Sequence, residues 1–164
     1  MARRTLILVR HGHASPGAVD ADRPLDRRGQ GEARALGLAL AALVPAVDQC
    51  ASSDARRTRQ TAAAILDRVS AAVSWADRSL YLCAAADLID LARGFEGETG
   101  IIVGHEPSLS LAVLDLCGPD AGPVVDAGVA TGTAVVMTFD GRWEDLRPGC
   151  ARAARRIDPA EAPR

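Results

Sequence analysis

Residues 6–12 read Leu-Ile-Leu-Val-Arg-His-Gly, an apolar run that ends in two ionisable side chains and a glycine. Short aliphatic runs of this kind are typical of strands buried on both faces of a parallel sheet. In open α/β sheets, ligands bind just beyond the carboxyl ends of such strands. The pattern therefore predicts that Arg10 and His11 lie where a ligand binds. Taken alone, it also allows a plain strand end with a solvated arginine.

Predicted strands and helices alternate along most of the chain. Strands are expected near 4–10, 47–51, 72–76 and 100–103, and helices over 29–43, from Ser53 or Asp54 to about 69, over 84–93, and from Pro107 to about 116. Asp26 is a suitable N-cap for the first helix, whose leucines recur on one face. This alternation predicts one domain over residues 1–150, a three-layer α/β/α sandwich with a mainly parallel central sheet.

The end of the chain has a different pattern. Residues 133–139 and 143–146 resemble a hairpin closed over Asp140 and Gly141. Residues 151–164 are rich in Ala, Arg and Pro, which predicts a frayed C-terminal tail.

Composition limits the classes of partner. The formal charge of −2 gives no support for binding to nucleic acid or to a membrane surface, and no apolar run is long enough to span a bilayer. The four cysteines lack the close spacing of a zinc or redox motif, which favours free thiols. Together with the lack of a signal-peptide pattern at the N-terminus, this predicts a cytoplasmic protein. The chain has no lysine, so an anion site would be built from arginines, which bind phosphate with two parallel hydrogen bonds.

Three separate segments are expected to meet at one edge of the sheet. The first strand ends in Arg10 and His11, the fourth ends in Gly104 and His105, and an arginine-rich helix begins after the second strand, at residues 53–61. Helix N-termini favour anions, so several arginines and two imidazoles at this edge indicate a phosphate site. For the arginine-rich helix, the alternative is a basic face that is only exposed to solvent.

At these three segments the chain resembles the histidine phosphatase superfamily, whose fold is like that of phosphoglycerate mutase. The matching motifs are Arg10-His11-Gly12 with the later Arg23-Pro24-Leu25 and Gly29, then Ser53 to Thr61, and finally Val103-Gly104-His105 with Pro107. The resemblance extends from the first strand to about Leu116. It implies that His11 is a nucleophile that forms a phosphohistidine intermediate, and that phosphate is held by Arg10, Arg57 and His105.

Departures from the family pattern leave some assignments open. Arg56 lies beside Arg57, so the identity of the phosphate-clamping arginine is uncertain by one residue. His13 occupies a position where the family often has another polar residue, and it is expected to contact substrate at the rim. The resemblance extends the substrate-binding set to Gly12, Arg23, Ser53 and Gly104. No metal and no cofactor are expected, because the histidines have no carboxylate at ligand-like spacing.

The group that protonates the leaving group separates the branches of the family. The mutase branch carries a glutamate shortly after the third strand, but residues 79–84 contain no carboxyl group. Glu106 is the best substitute, as a general acid or as a carboxylate that only stabilises a helix start. Phosphohistidine needs less help, since its leaving nitrogen can be protonated beforehand.

The intervals between motifs are short, which predicts an open pocket with no lid insertion. In this the chain resembles the compact SixA-type phosphohistidine phosphatases. The resulting expectation is a metal-independent phosphatase that acts on phosphohistidine in proteins. The alternatives are a broad phosphomonoesterase or mutase acting on small phosphorylated metabolites, and a module that binds phosphate without cleaving it.

Overall fold

Six strands form one mixed sheet at the centre of the structure, a computed structural model that describes residues 2–159. In chain order the strands and α-helices are β1 (Arg3–Arg10), α1 (Arg27–Leu43), β2 (Ala46–Ser53), α2 (Arg56–Leu66), β3 (Ser70–Asp77), α3 (Ala85–Arg93), β4 (Thr99–Gly104), α4 (Ser108–Cys117), α5 (Gly122–Val125), β5 (Ala134–Asp140) and β6 (Arg152–Ile157). Short 3-10 helices lie at Asp20–Asp22, Arg78–Leu80, Pro119–Ala121 and Trp143–Asp145.

The apolar run of β1 is buried on both faces of the sheet. Leu6 and Leu8 pack in a core with α3 and α4, whereas Ile7 and Val9 pack on the opposite face with α1 and α2. None of these four side chains is more than 1% exposed. The predicted three-layer α/β/α architecture is confirmed, and the run is uniformly apolar because each of its residues faces a core.

The strand order is β3-β2-β4-β1-β5-β6. The first four strands are parallel, and β5 and β6 are antiparallel to their neighbours. Arg10 pairs with Gly104 at the carboxyl ends of β1 and β4, and the ladder continues as the His11 amide donates to the Gly104 carbonyl at 3.2 Å. The two histidine-bearing segments therefore follow neighbouring strands.

Helix boundaries agree with the sequence at α1 and differ at α2. Asp26 caps α1 by accepting a hydrogen bond of 2.8 Å from the Gly29 amide. By contrast, α2 begins at Arg56 after Ala55, with no side-chain cap. The prediction that Ser53 or Asp54 caps α2 is wrong, because β2 continues through Ser53 and the Ser53 hydroxyl pairs with Thr58 and His105 instead.

The C-terminal region also differs from its prediction. Residues 143–145 form a 3-10 helix, and the strand that pairs with β5 is β6, inside the segment predicted as a frayed tail. Ile157 is only 1% exposed and anchors β6 to the core, while Arg155 on the same edge strand is exposed. An edge strand can combine a buried apolar residue with arginines that face solvent. Composition alone therefore does not distinguish this strand from a frayed tail. Residues 160–164 of that predicted tail lie outside the described residues.

Candidate active site

Two histidines face each other at the carboxyl edge of the sheet. The ring centroids of His11 and His105 are 5.2 Å apart, and each ring follows directly on the end of β1 or β4. Their separation is therefore set by two neighbouring strands, which lie about 4.8 Å apart in any sheet.

The hydrogen bonds of His11 assign its protonation. Nδ1 lies 2.7 Å from the Gly12 carbonyl oxygen, which can only accept, so Nδ1 carries the proton. Nε2 is then left with its lone pair, and it accepts from Nε of Arg57 at 3.3 Å. Burial lowers the pKa of His11 to about 4, and the charges of Arg57 and Arg10 act in the same direction. At neutral pH the ring is neutral, as a nucleophilic imidazole must be.

Gly12 is held against two other segments. Its amide donates to the Thr61 hydroxyl at 3.0 Å, which links the end of β1 to α2. A Cβ at this position would lie 2.6 Å from the Gly29 carbonyl oxygen, so no larger residue fits without a backbone shift. These contacts hold the carbonyl group that orients the His11 ring.

Arg57 is the arginine that faces the two histidines. Its side chain is 8% exposed, and one terminal nitrogen lies 3.4 Å from Nδ1 of His105, whereas Arg56 is exposed on the outer side of α2. Of the two neighbouring arginines, only Arg57 is placed at the histidines, and its role in clamping phosphate stays a prediction.

His105 is held by a chain of hydroxyl groups. Its Nε2 lies 2.7 Å from the hydroxyl of Ser53, which is in turn 2.7 Å from the hydroxyl of Thr58. Burial lowers the pKa of His105 to about 3, and the neighbouring His11 and Arg57 contribute in the same direction. Because an arginine nitrogen can only donate, Nδ1 of His105 accepts from Arg57, and Nε2 carries the proton that is donated to Ser53.

Arg10 provides a donor that no other group in the described part of the chain uses. One terminal nitrogen donates to the Val129 carbonyl at 2.9 Å, while Nε is buried and has no hydrogen-bond partner within residues 2–159. Buried donors without partners are rare in folded proteins, so this one is a natural contact for a bound anion.

Glu106 is occupied by contacts with α4 and with the segment that precedes β5. Its carboxylate accepts from the Ser110 amide at 2.9 Å, from the Ser110 hydroxyl, and from the Val129 amide at 3.2 Å. Val129 is the same residue whose carbonyl holds Arg10. These contacts support the structural alternative, in which Glu106 stabilises the start of α4.

Comparisons with known proteins identify the family. The model of the histidine phosphatase superfamily, branch 1, matches residues 6–78. An uncharacterized protein of Mycobacterium tuberculosis, strain H37Rv, is 35% identical over 152 residues, which cover 87% of this chain and 94% of the relative. A solved structure from Nakamurella multipartitia, assigned as the phosphohistidine phosphatase SixA, is 31% identical with a TM-score of 0.86, covering 97% of this chain and 98% of the other. The chain belongs to the histidine phosphatase superfamily.

The shape of the domain agrees with that membership. Phosphoglycerate mutase from Plasmodium falciparum superposes with a TM-score of 0.62 at 19% identity, covering 85% of each chain, which shows the shared fold alone. The similarity to SixA is closer and spans nearly the whole of both chains. The predicted family and its compact SixA-like branch are therefore confirmed.

A carboxylate and a phenol that the sequence did not predict as site residues also lie at this candidate site. Oδ2 of Asp20 accepts from Arg57 at 3.0 Å and from the hydroxyl of Tyr81, and Oδ1 accepts from Arg23 at 3.0 Å. The Tyr81 ring also packs edge-on against His105. Asp20 and Tyr81 lie in or beside 3-10 helices, for which the sequence offers no clear periodic signal.

Three other residues that the sequence predicts for the site, Arg23, Gly104 and His13, mainly hold backbone and loop segments in place. Arg23 holds the Ser15 carbonyl at 2.8 Å as well as Asp20, and Gly104 contributes the carbonyl group that receives the His11 amide. Nδ1 of His13 pairs with Asp26, the cap of α1, which gives the ring a role in anchoring the loop. A substrate contact at His13 stays a prediction.

The described residues contain neither a metal-ligand cluster nor a membrane-spanning helix. Within residues 2–159, no group of three or more His, Cys, Asp or Glu side chains is placed to hold a metal ion. In the same part of the chain, no helix is long and apolar enough to cross a membrane.

Proposed function

We propose that this histidine phosphatase transfers a phosphoryl group from phosphohistidine in a protein to Nε2 of His11, and that water then releases phosphate. The observation that carries the proposal is the state of His11. The ring is neutral, and its Nδ1 donates to the Gly12 carbonyl. The Nε2 lone pair is therefore directed at Arg57. This is the arrangement that covalent catalysis by histidine requires.

The groups around His11 suit a transferring phosphoryl group. The guanidinium of Arg57 contacts Nε2 directly, Arg10 adds a buried Nε with no partner in residues 2–159, and the His105 ring lies beside the His11 ring. In phosphoryl transfer, negative charge is spread over three equatorial oxygens, and preorganised donors there lower the barrier. A module that only bound phosphate would have no need of the oriented lone pair on His11.

The leaving-group side of the site favours a nitrogen leaving group. Hydrogen bonds from Tyr81, Arg23 and Arg57 hold the pKa of Asp20 far below its ordinary range, so this carboxylate has no proton to give at neutral pH. The Glu106 carboxylate is turned to Ser110 and Val129. Alkoxides leave poorly without a general acid, whereas the imidazole of phosphohistidine is released as a neutral molecule.

A protein substrate is supported by the open rim and by similarity. The Asp20 side chain, which contacts Arg57, is 51% exposed, so the entrance to the candidate active site lies at the protein surface. The Nakamurella relative, assigned as a phosphohistidine phosphatase, matches this chain over nearly its full length.

Relative rates on a phosphohistidine protein and on a panel of sugar phosphates test the substrate. We expect much faster hydrolysis of the phosphohistidine protein. His11→Ala should abolish turnover on every substrate while circular dichroism shows an intact fold, because the acceptor of the phosphoryl group is lost.

A matched pair of arginine variants serves as the control. Arg57→Gln should lower kcat/KM by about 100-fold, the usual effect of removing one donor to transition-state charge, while Arg56→Gln stays near wild type. Near-normal activity of His11→Ala would refute the covalent mechanism. A clear preference for sugar phosphates would instead favour a broad phosphomonoesterase.

A further inference from the structure

The carboxylate of Asp20 lies beside the arginines and histidines that are expected to bind phosphate. Besides the side-chain contacts with Arg57, Arg23 and Tyr81, its backbone carbonyl accepts from a second nitrogen of Arg57 at 2.8 Å. The 3-10 helix Asp20–Asp22 is thereby attached to the guanidinium that faces His11. A negative group would weaken the binding of a phosphate ester, so its presence calls for a function.

The position of Asp20 relative to His11 follows from Arg57. The guanidinium contacts His11 through Nε and Asp20 through its two terminal nitrogens, so it lies between the partly buried nucleophile and the carboxylate. Arg57 is 8% exposed and Asp20 is 51% exposed, which puts Asp20 on the solvent side. In an in-line displacement the leaving group departs opposite to the attacking nitrogen, and hence toward the rim that Asp20 occupies.

We propose that Asp20 selects substrates whose nitrogen leaving group is positively charged before the bond to phosphorus breaks, by hydrogen bonding to the protonated nitrogen of a phosphoramidate. The chemical class includes phosphohistidine, whose ring is protonated on the nitrogen remote from phosphorus. It also includes simple phosphoramidates, whose protonated nitrogen leaves as ammonia. An ionised carboxylate stabilises such a cation and repels the developing charge of an alkoxide. This inference rests on the proposed function and names the residue that sets its substrate class.

The bonds and charges balance without a proton donor. The Nε2 lone pair of His11 forms a bond to phosphorus, and the bond from phosphorus to the substrate nitrogen breaks with its electron pair returning to that nitrogen. The substrate ring enters as a cation and leaves as a neutral imidazole, and its remote N–H remains hydrogen bonded to Asp20. The phosphorylated His11 ring is now the cation, with Nδ1–H still donated to Gly12.

The second step needs only water. Its oxygen bonds to phosphorus, the electron pair of the bond to Nε2 returns to His11, and the protons of the water remain on phosphate or pass to solvent. Asp20 therefore acts on the first step, where the leaving group differs between substrates.

The groups around Asp20 leave it as the anion that this role requires. The charged and titratable neighbours are Arg23 on its own loop, Arg57 from α2, Tyr81 after β3 and His105 after β4. The hydrogen bond to Asp20 raises the pKa of Tyr81, so the phenol remains a donor at neutral and mildly alkaline pH. Asp22, in the same 3-10 helix, is exposed.

The test compares phosphoramidate and 4-nitrophenyl phosphate as substrates of Asp20→Asn, with Asp22→Asn as the matched control. In Asp20→Asn the ratio of kcat/KM for phosphoramidate to that for the aryl ester should fall by about tenfold or more, since a hydrogen bond to a charged group is lost. The alkaline limb of the phosphoramidate profile should also move to lower pH, because the protonated substrate is no longer favoured. Asp22→Asn should retain the wild-type ratio.

The outcomes separate this inference from the proposed function. An unchanged ratio, an equal loss on both substrates, or no turnover of phosphoramidate by the wild-type enzyme would overturn the role of Asp20. A fall in the ratio together with no activity on phosphohistidine proteins would support the role of Asp20 while refuting the proposed protein substrate. Loss of aryl activity in His11→Ala tests the mechanism independently of both.

Discussion

At the residue scale, the His11 ring is both fixed in orientation and left with a nitrogen lone pair that can attack phosphorus. Nδ1 is bound to the Gly12 carbonyl, which orients the ring, and the opposite nitrogen is left as an acceptor between positive charges. Because burial and those charges both oppose a second proton, the site keeps its nucleophile neutral by environment rather than by a partner base.

The protonation of His11 gives a prediction about pH. In an NMR titration of the imidazole resonances, His11 should protonate with a midpoint near 4 instead of the ordinary 6.5. Arg57→Gln should move that midpoint upward only in part, since burial makes the larger contribution. Between pH 6.5 and 4 the unfolded chain binds a proton at His11 that the folded chain does not, so lowering the pH through this range destabilises the fold. A wild-type midpoint near 6.5 would contradict a His11 ring that is neutral at neutral pH because of its surroundings.

Which site residues can be predicted depends on the element that carries them. Arg10, His11 and His105 follow apolar strands, so the alternation of strands and helices is enough to place them at one sheet edge. Asp20 and Tyr81 belong to irregular segments whose position depends on tertiary contacts, of Asp20 with Arg57 and of Tyr81 with Asp20. Their residue types are common in loops, and nothing in their spacing indicates a site.

At the scale of elements, the loop after β1 is fastened to the start of α1. The His13 carbonyl accepts from the Asp26 amide at 3.1 Å, and Asp26 in turn caps α1 and pairs with the His13 ring. Gly29 makes this close approach sterically acceptable, since a Cβ there would lie 1.9 Å from the His13 carbonyl oxygen. The loop that carries Asp20 therefore begins and ends on one rigid attachment.

Two glycines of α1 provide a matched test of this attachment. Gly29→Ala should lower the free energy of unfolding by roughly 2–4 kcal/mol, because the clash involves backbone that cannot move freely. Gly31→Ala should be neutral or add about 0.5–1 kcal/mol, because an added Cβ meets nothing within 4 Å and alanine favours helix. Denaturant titrations of both variants measure the difference. Equal effects would show that the loop and helix are not in close contact.

The boundary of α2 shows where local sequence rules fail. Ser53 is a favourable capping residue by type, yet the extra length of β2 takes it to the sheet edge, where its hydroxyl holds His105. The tertiary contact overrides the local preference, so the misplaced cap coincides with the functional site.

At the scale of the whole molecule, the sheet is completed by the last described strand. β6 covers the outer side of β5, and the Thr133 hydroxyl donates to Asp158, just beyond β6, at 3.0 Å. The Thr133 carbonyl accepts from the Arg10 amide at 3.0 Å. The C-terminal region thus supports the segment against which the end of β1 rests.

Two residues of β6 test its contribution to stability. Ile157→Ala should lower the free energy of unfolding by roughly 2–4 kcal/mol, because a side chain only 1% exposed leaves a cavity in the core. Arg155→Ala, on an exposed position of the same strand, should change it by less than about 0.5 kcal/mol. Thermal or denaturant unfolding reports both values. If neither substitution mattered, the segment would be the frayed tail that its composition suggests.

The attachment of both imidazoles to neighbouring strands has a consequence for how such enzymes diversify. His11 and His105 are held by the sheet, while Asp20 and Arg23 come from the loop between β1 and α1. Substitutions, insertions or deletions in that loop can alter which phosphorylated molecules are accepted without disturbing the reacting atoms. A lineage carrying this domain can therefore acquire new specificities by changes in a short surface segment, while the inherited chemistry passes on unaltered.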